Sequence, residues 1–215
     1  MPTDPYELLH FHMVRAHDTF KLGYDRIIEL LDSPPTHDLD NFLGYCEAWA
    51  SSIEEHHNSE EAVVFPFLNT KMDFSGEAEA HKGIHASLHD VIDIIHHGRA
   101  NPAEFNPREL QDLMENLREP LYAHLDDEVE HVSAKEVRNA GFSGQELLKM
   151  VADLAAYARA NANPFLQVPY MRSHTPPEFK DCWPGMPWFV RNLIIPYVLA
   201  WRYSGYWKYS PYPVS

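Results

Sequence analysis

Residues 42–67, FLGYCEAWASSIEEHHNSEEAVVFPF, decide how this chain folds. Phe42, Cys46, Trp49, Ile53, Val63 and Phe67 recur at the three- and four-residue steps of an amphipathic helix. Between Ile53 and Val63 the same stripe passes through His56 and Glu60. A pair spaced i,i+4 lies on one helix face, about 6 Å apart along the axis. The neighbouring pair, His57 and Glu61, sits about 100° around the helix. It continues a weaker stripe through Cys46, Ala50, Ile53 and Val64, so phase favours His56 and Glu60. Asp38 or Asp40 can cap this helix, which is expected to run to about Asn69 and to kink or fray at Pro66.

Three further segments have the same period. Residues 5–31 carry Leu9, Met13, Phe20, Ile27 and Leu31, and Ser33-Pro34-Pro35 closes them. Residues 77–98 carry Ile84, Leu88, Ile92 and Ile95, with Gly98 as the stop. Pro107 opens a helix expected to reach about Asn139, with Leu110, Leu113, Leu117 and Leu121 inward and a kink at Pro120. No strand-type alternation competes. The expected fold is all-α: an up-down-up-down four-helix bundle over residues 1–139, with 140–215 a helical, Pro- and aromatic-rich extension packed on it. Within the extension, helices are expected over 143–162 and 187–203. Residues 164–187 show little period, and the aromatic end, 201–209, is read as packing.

Composition removes several function classes. The net charge is −15, from 32 acidic and 17 basic residues, and no Lys/Arg cluster stands out, so nucleic acid is not an expected partner. Phe189 to Trp201 is the longest apolar stretch, but Arg191, Asn192 and Pro196 interrupt it, so no transmembrane segment is expected. The two cysteines, Cys46 and Cys182, do not suggest a disulfide framework, and no signal peptide is evident at the N-terminus. The expected location is cytoplasmic. Fourteen histidines are many for 215 residues, and imidazole is the commonest metal ligand.

The histidines share the core phase of each helix. His17 follows Leu9 and Met13; His81 and His85 precede Leu88 and Ile92; His124 and Glu128 follow Leu117 and Leu121. With His56 and Glu60, seven inward groups come from four helices. One His-x-x-x-Glu or His-x-x-x-His pair alone is weak evidence, but three such pairs in core phase on consecutive helices are not explained by packing. Seven groups exceed one ion's needs and suit two six-coordinate ions bridged by carboxylates. No buried lysine or arginine is available to neutralise the acids, whereas a pair of dications would. Imidazole with carboxylate favours Fe, Mn or Zn over Mg or Ca.

His17-Asp18, the segment His56-His57-Asn58-Ser59-Glu60-Glu61-Ala62-Val63-Val64-Phe65-Pro66, His81-x-x-x-His85 and His124-Leu125-x-x-Glu128 occur in order. Together they closely resemble the hemerythrin-like, HHE cation-binding domain, over about residues 5–135. The tail, with Trp183-Pro184 and Trp207 to Pro211, resembles the extension of fungal members. The resemblance implies two Fe ions, oxo- or hydroxo-bridged, rather than Zn or Mn. It places His81, His85 and His124 on one iron and His17 and His56 on the other, with Glu60 and Glu128 bridging. It further implies O2 or another small diatomic ligand as partner, in oxygen or iron sensing, storage or detoxification. Two alternatives are a di-iron oxidase or oxygenase acting on a small organic substrate and a structural Zn or Mn bundle. The last pair departs from the invertebrate oxygen carriers, which space His and Asp by five.

Overall fold

The computed structural model describes residues 1–215 and is all-helical. Helix α1 (Pro5–Leu31) begins where Asp4 accepts the Tyr6 amide at 3.0 Å, with Pro5 in the first turn. Helix α2 (Leu39–Ser59) continues through a π-helical turn (Glu60–Val64) into α3 (Phe65–Leu68). In that wider turn the Phe65 amide reaches the Glu60 carbonyl. Pro66 has no amide with which to continue the α ladder, and the wide turn comes just before it. The irregularity expected at Pro66 therefore lies upstream of it and includes Glu60. Helix α4 spans Ser75–Ala100 and α5 spans Pro107–His131.

Two expectations need correction. The fourth bundle helix was expected to reach Asn139, but α5 stops at His131. Ser133 turns extended, its hydroxyl facing the Glu136 amide at 3.5 Å, and caps a separate α6 (Ala134–Asn139). α5 does run unbroken through Pro120, whose exposed position leaves the freed carbonyl to water. After α7 (Gly144–Asn161), with its Ser143/Glu146 capping box, residues 167–174 were read as irregular. They form α8 (Gln167–His174). Pro169 falls in its first turn, where no amide is missed. Burial of Gln167, Tyr170, Arg172, Ser173 and His174 surrounds the helix, so no polar face marks its period. The last helical stretch is present but wound as a π-helix (Val190–Leu199) followed by a 3-10 turn (Ala200–Tyr203).

Helices α1, α2, α4 and α5 enclose two apolar clusters. The larger holds Phe20, Ile53, Ile84 and Leu125; the smaller holds Met13, Val64, Phe74 and Val132. α1 and α4 run from the smaller cluster to the larger, whereas α2 and α5 run the other way, which is the up-down-up-down order. On each helix one position between the clusters is polar: His17, His56 to Glu60, His81, and His124 to Glu128. A polar layer is thus held between two apolar plugs.

The chain after α7 returns to the bundle. The Tyr170 hydroxyl donates to the Thr19 carbonyl at 2.8 Å, and Arg26 Nε donates to the Tyr209 carbonyl at 2.9 Å. Gly23 and Gly44 allow these contacts, because a methyl at either would overlap Tyr170 or Tyr206. Trp207 and Tyr209 complete the larger cluster. No helix is long and apolar enough to cross a membrane.

Candidate metal centre

The polar layer contains two groups of converging donor atoms. His17, His56, Glu60 and Glu128 form one; His57, His81 and His124 form the other. Within each, the ligand-type atoms lie within 4.8 Å of one another. In the first group, His17 Nε2 is 3.1 Å from His56 Nε2 and 3.4 Å from Glu128 Oε2. Glu60 Oε1 is 2.9 Å from His56 Nε2. In the second, His81 Nε2 is 3.1 Å from His124 Nε2. Donors each about 2.1 Å from one ion, at right angles, would be about 3 Å apart. The carboxylates also face across: Glu60 Oε2 is 3.8 Å from His81 Nε2 and Glu128 Oε2 is 3.6 Å from His124 Nε2.

Two imidazoles are oriented from behind. His17 Nδ1 is 2.8 Å from the Leu125 carbonyl, which only accepts, so that nitrogen carries the proton. His81 Nδ1 is 3.0 Å from Glu61 Oε1 and carries its proton for the same reason. Each ring then presents an Nε2 lone pair to the centre, the tautomer a metal ligand requires.

All four carboxylate oxygens of Glu60 and Glu128, and His57 Nε2, are buried without a hydrogen-bond partner. The close approach of Glu60 to His56 is not aligned as a hydrogen bond. Five orphaned polar atoms in one layer are costly, since each forgoes water. Burial pushes the Glu128 carboxyl up to about 8, helped by Glu60, and Glu60 well above the usual carboxylate range. Burial also holds His56, His81 and His124 down to about 3. A divalent cation would resolve both costs, because it favours ionised carboxylates and neutral imidazoles together. The donor set and its orphaned atoms therefore fit a transition metal.

Six of the seven ligand candidates from the sequence lie in these groups. His85 does not: it is half-buried, and its Nε2 meets His57 Nδ1 at 3.2 Å. His57, set aside on phase, takes part and is fully buried. The physical reason is that α2 borders two helices at once. His56 faces His17 on α1, while His57 stacks on His81 of α4 with ring centroids 3.8 Å apart. The weaker stripe through Cys46, Ala50 and Ile53 was its sequence signal. Glu61, half-exposed, was likewise set aside and proves to hold His81. His131 pairs with Glu77 at 2.5 Å and stacks on Phe74, away from either group. Tyr24 and Tyr122 bond to the Met114 carbonyl and to Asp25.

An antiparallel helical bundle with a buried layer of imidazoles and carboxylates belongs to the class of metal-binding four-helix proteins. The chain belongs to the hemerythrin HHE cation-binding domain family, whose model matches residues 9–135. That span runs from α1 to the start of α6 and includes every residue of the two donor groups. Neither a curated protein nor a solved structure matched the chain.

Proposed function

We propose that this chain is a non-haem di-iron protein that binds O2 or a related diatomic ligand, serving oxygen or iron sensing, storage or detoxification. One observation carries the reading: the carboxylates of Glu60 and Glu128 lie buried and unpaired between two histidine groups. His17 and His56 would hold one iron, His81 and His124 the other with His57, and the two glutamates would face both. Iron bound there would supply the redox chemistry that a diatomic ligand needs. The protein's own part is to fix geometry and exclude water. The Leu125 carbonyl and Glu61 set two tautomers, and the apolar plugs on either side keep the layer dry. Neither donor group includes a residue from the extension, so the oxidase alternative gains no support of its own.

The test is metal analysis joined to an optical spectrum. We expect about two irons per chain and, after anaerobic reduction and return of O2, a visible charge-transfer band that bleaches on deoxygenation. Zinc or manganese in place of iron, with no such band, would overturn the proposal. The third imidazole can be assigned in the same assay. His57→Ala should lower metal content as much as His56→Ala, and His85→Ala should lower it less. The reverse order between His57 and His85 would restore His85 as the ligand.

A further inference from the structure

The segment from Trp188 to Tyr203 is an unusual surface. Seven of the chain's nine exposed large hydrophobic side chains lie within residues 188–201. Trp188, Tyr197 and Trp201 are 65, 74 and 76% exposed. Phe189, Leu193 and Ile194 are exposed between them. A folded chain rarely leaves so much apolar surface together without a partner.

The segment is not a loose end. Ile195 and Ala200 are buried beneath it. Arg191 donates to the Asp181 carbonyl at 2.6 Å, and Trp207 Nε1 donates to the Ala200 carbonyl at 3.0 Å. These contacts fix the helix on the body and aim its apolar side chains outward. The surface is therefore pre-ordered for its partner.

Charge distinguishes between partners. The chain is strongly acidic, yet no Asp or Glu occurs from Cys182 to Ser215, where Arg191, Arg202 and Lys208 stand. Arg191 and Lys208 already pair with Asp181 and Asp38. Arg202, exposed beside Trp201, stacks on Phe165 and Tyr203 and has no carboxylate partner. An isologous contact with a second copy would set this acid-free face against itself and offer Arg202 no anion. A bilayer offers hydrocarbon for the leucine and isoleucine, the headgroup boundary for tryptophan and tyrosine, and an anionic group for the arginine.

We propose that residues 188–203 form an interfacial helix that seats the protein on a phospholipid surface containing anionic lipid. The helix is too short and interrupted to span a membrane, but it has the composition of one that lies in its plane. Apolar insertion does most of the work, since only Arg202 is free to meet a headgroup. Salt should weaken the attachment only slightly. The face also leads with the longest stretch of the chain that carries no acidic residue.

The full-length metal-loaded protein should be mixed with phosphatidylcholine vesicles, with and without phosphatidylserine, and sedimented. We expect it to pellet with both and more completely with the serine lipid. Brominated phosphatidylcholine should quench its tryptophan fluorescence, a measurement that needs no variant. Trp188→Ser combined with Trp201→Ser should reduce vesicle partitioning by about tenfold or more, with an unchanged circular-dichroism spectrum. Failure to pellet with either vesicle, or equal partitioning of the double variant, would overturn the proposal. So would a concentration-dependent dimer in sedimentation velocity that the same substitutions abolish, if no vesicle binding accompanies it.

Discussion

Histidine is buried in two regions of this fold, and their hydrogen bonding differs. His174, fully buried, has Nδ1 2.8 Å from the Tyr170 carbonyl and Nε2 2.8 Å from the Tyr45 hydroxyl. Both tyrosine rings stack on it, at 4.1 and 5.7 Å. Each polar atom of that ring has a partner within the chain. In the layer of Glu60 and Glu128, four carboxylate oxygens and His57 Nε2 have none. Burial lowers the pKa of the histidines in both places, so a perturbed pKa does not separate them. Satisfaction does. A buried polar cluster completed by its own chain is structural, whereas one left incomplete is built for something that enters it.

The comparison breaks most visibly if the metal is removed. Stripping the metal with a chelator under reducing conditions should lower the melting temperature by about 10 °C, because a tightly held ligand stabilises only the folded chain. Re-addition should restore it. An unchanged melting temperature would mean that the Glu60 and Glu128 layer is complete without a cation. The next largest effect belongs to the other region. His174→Ala leaves the Tyr45 hydroxyl unpaired and opens a cavity, so it should cost about 3 kcal/mol in denaturant unfolding. Metal content should stay as in the wild type; a parallel loss of metal would show that the two regions are coupled.

The sequence was most informative where burial is one-sided. α1 and α4 each present one stripe, and His17 and His81 fall on it, so phase alone put them inward. α2 touches α1 on one side and α4 on the other, which gives it two inward stripes. His56 sits on one and His57 on the other, and a single-stripe reading had to discard one of them. His85 shows the opposite case. It shares the His81 face at i,i+4, but the structure stops it one hydrogen bond short, on His57 Nδ1. Which imidazole of a stacked row reaches the centre depends on the distance between helices, and spacing does not encode that. α8 was lost for another reason: burial on all sides removes the polar face that makes a helix visible in sequence. The cap at Ser133 was missed because it lies inside a longer periodic run.

Acidity offers a finer separation. In the metal-stripped protein, the Glu128 carboxyl sits at about 8 when folded against 4.5 for an ordinary glutamate. Between those values the folded chain keeps a proton that the unfolded chain releases, so stability falls as pH rises through the window. The layer's histidines act on the other side. His56, His81 and His124 sit at about 3 against 6.5, so their contribution is lost as pH falls below 6.5. Between pH 6.5 and 8 the unfolded imidazoles still release their last half proton, which acts in the opposite direction with or without metal, so the carboxylates are read from the difference between the metal-stripped and the metal-loaded protein. Glu128 alone should cost about 2 kcal/mol over that range, or roughly 5 °C in calorimetry. The metal-loaded protein should lack that loss, because its carboxylates are already ionised. Equal slopes with and without metal would place the glutamates outside the ligand set.

The smallest expected effect tests an outer contact made by a side chain, the Glu61 carboxylate behind His81. Leu125 orients His17 through a backbone carbonyl, which no substitution removes, but Glu61 orients His81 through its own carboxylate. Glu61→Ala should weaken metal binding about tenfold, near 1.4 kcal/mol, in competition with a chelator. The loss belongs at the low end for such contacts, because Glu61 is 46% exposed and water can take its place. Glu61→Gln keeps an acceptor oxygen and should recover most of the affinity. Equal weakening in both variants would show that the negative charge matters rather than the acceptor. Wild-type affinity in the alanine variant would show that packing against His57 already fixes the His81 ring, with its tautomer needing no support from behind.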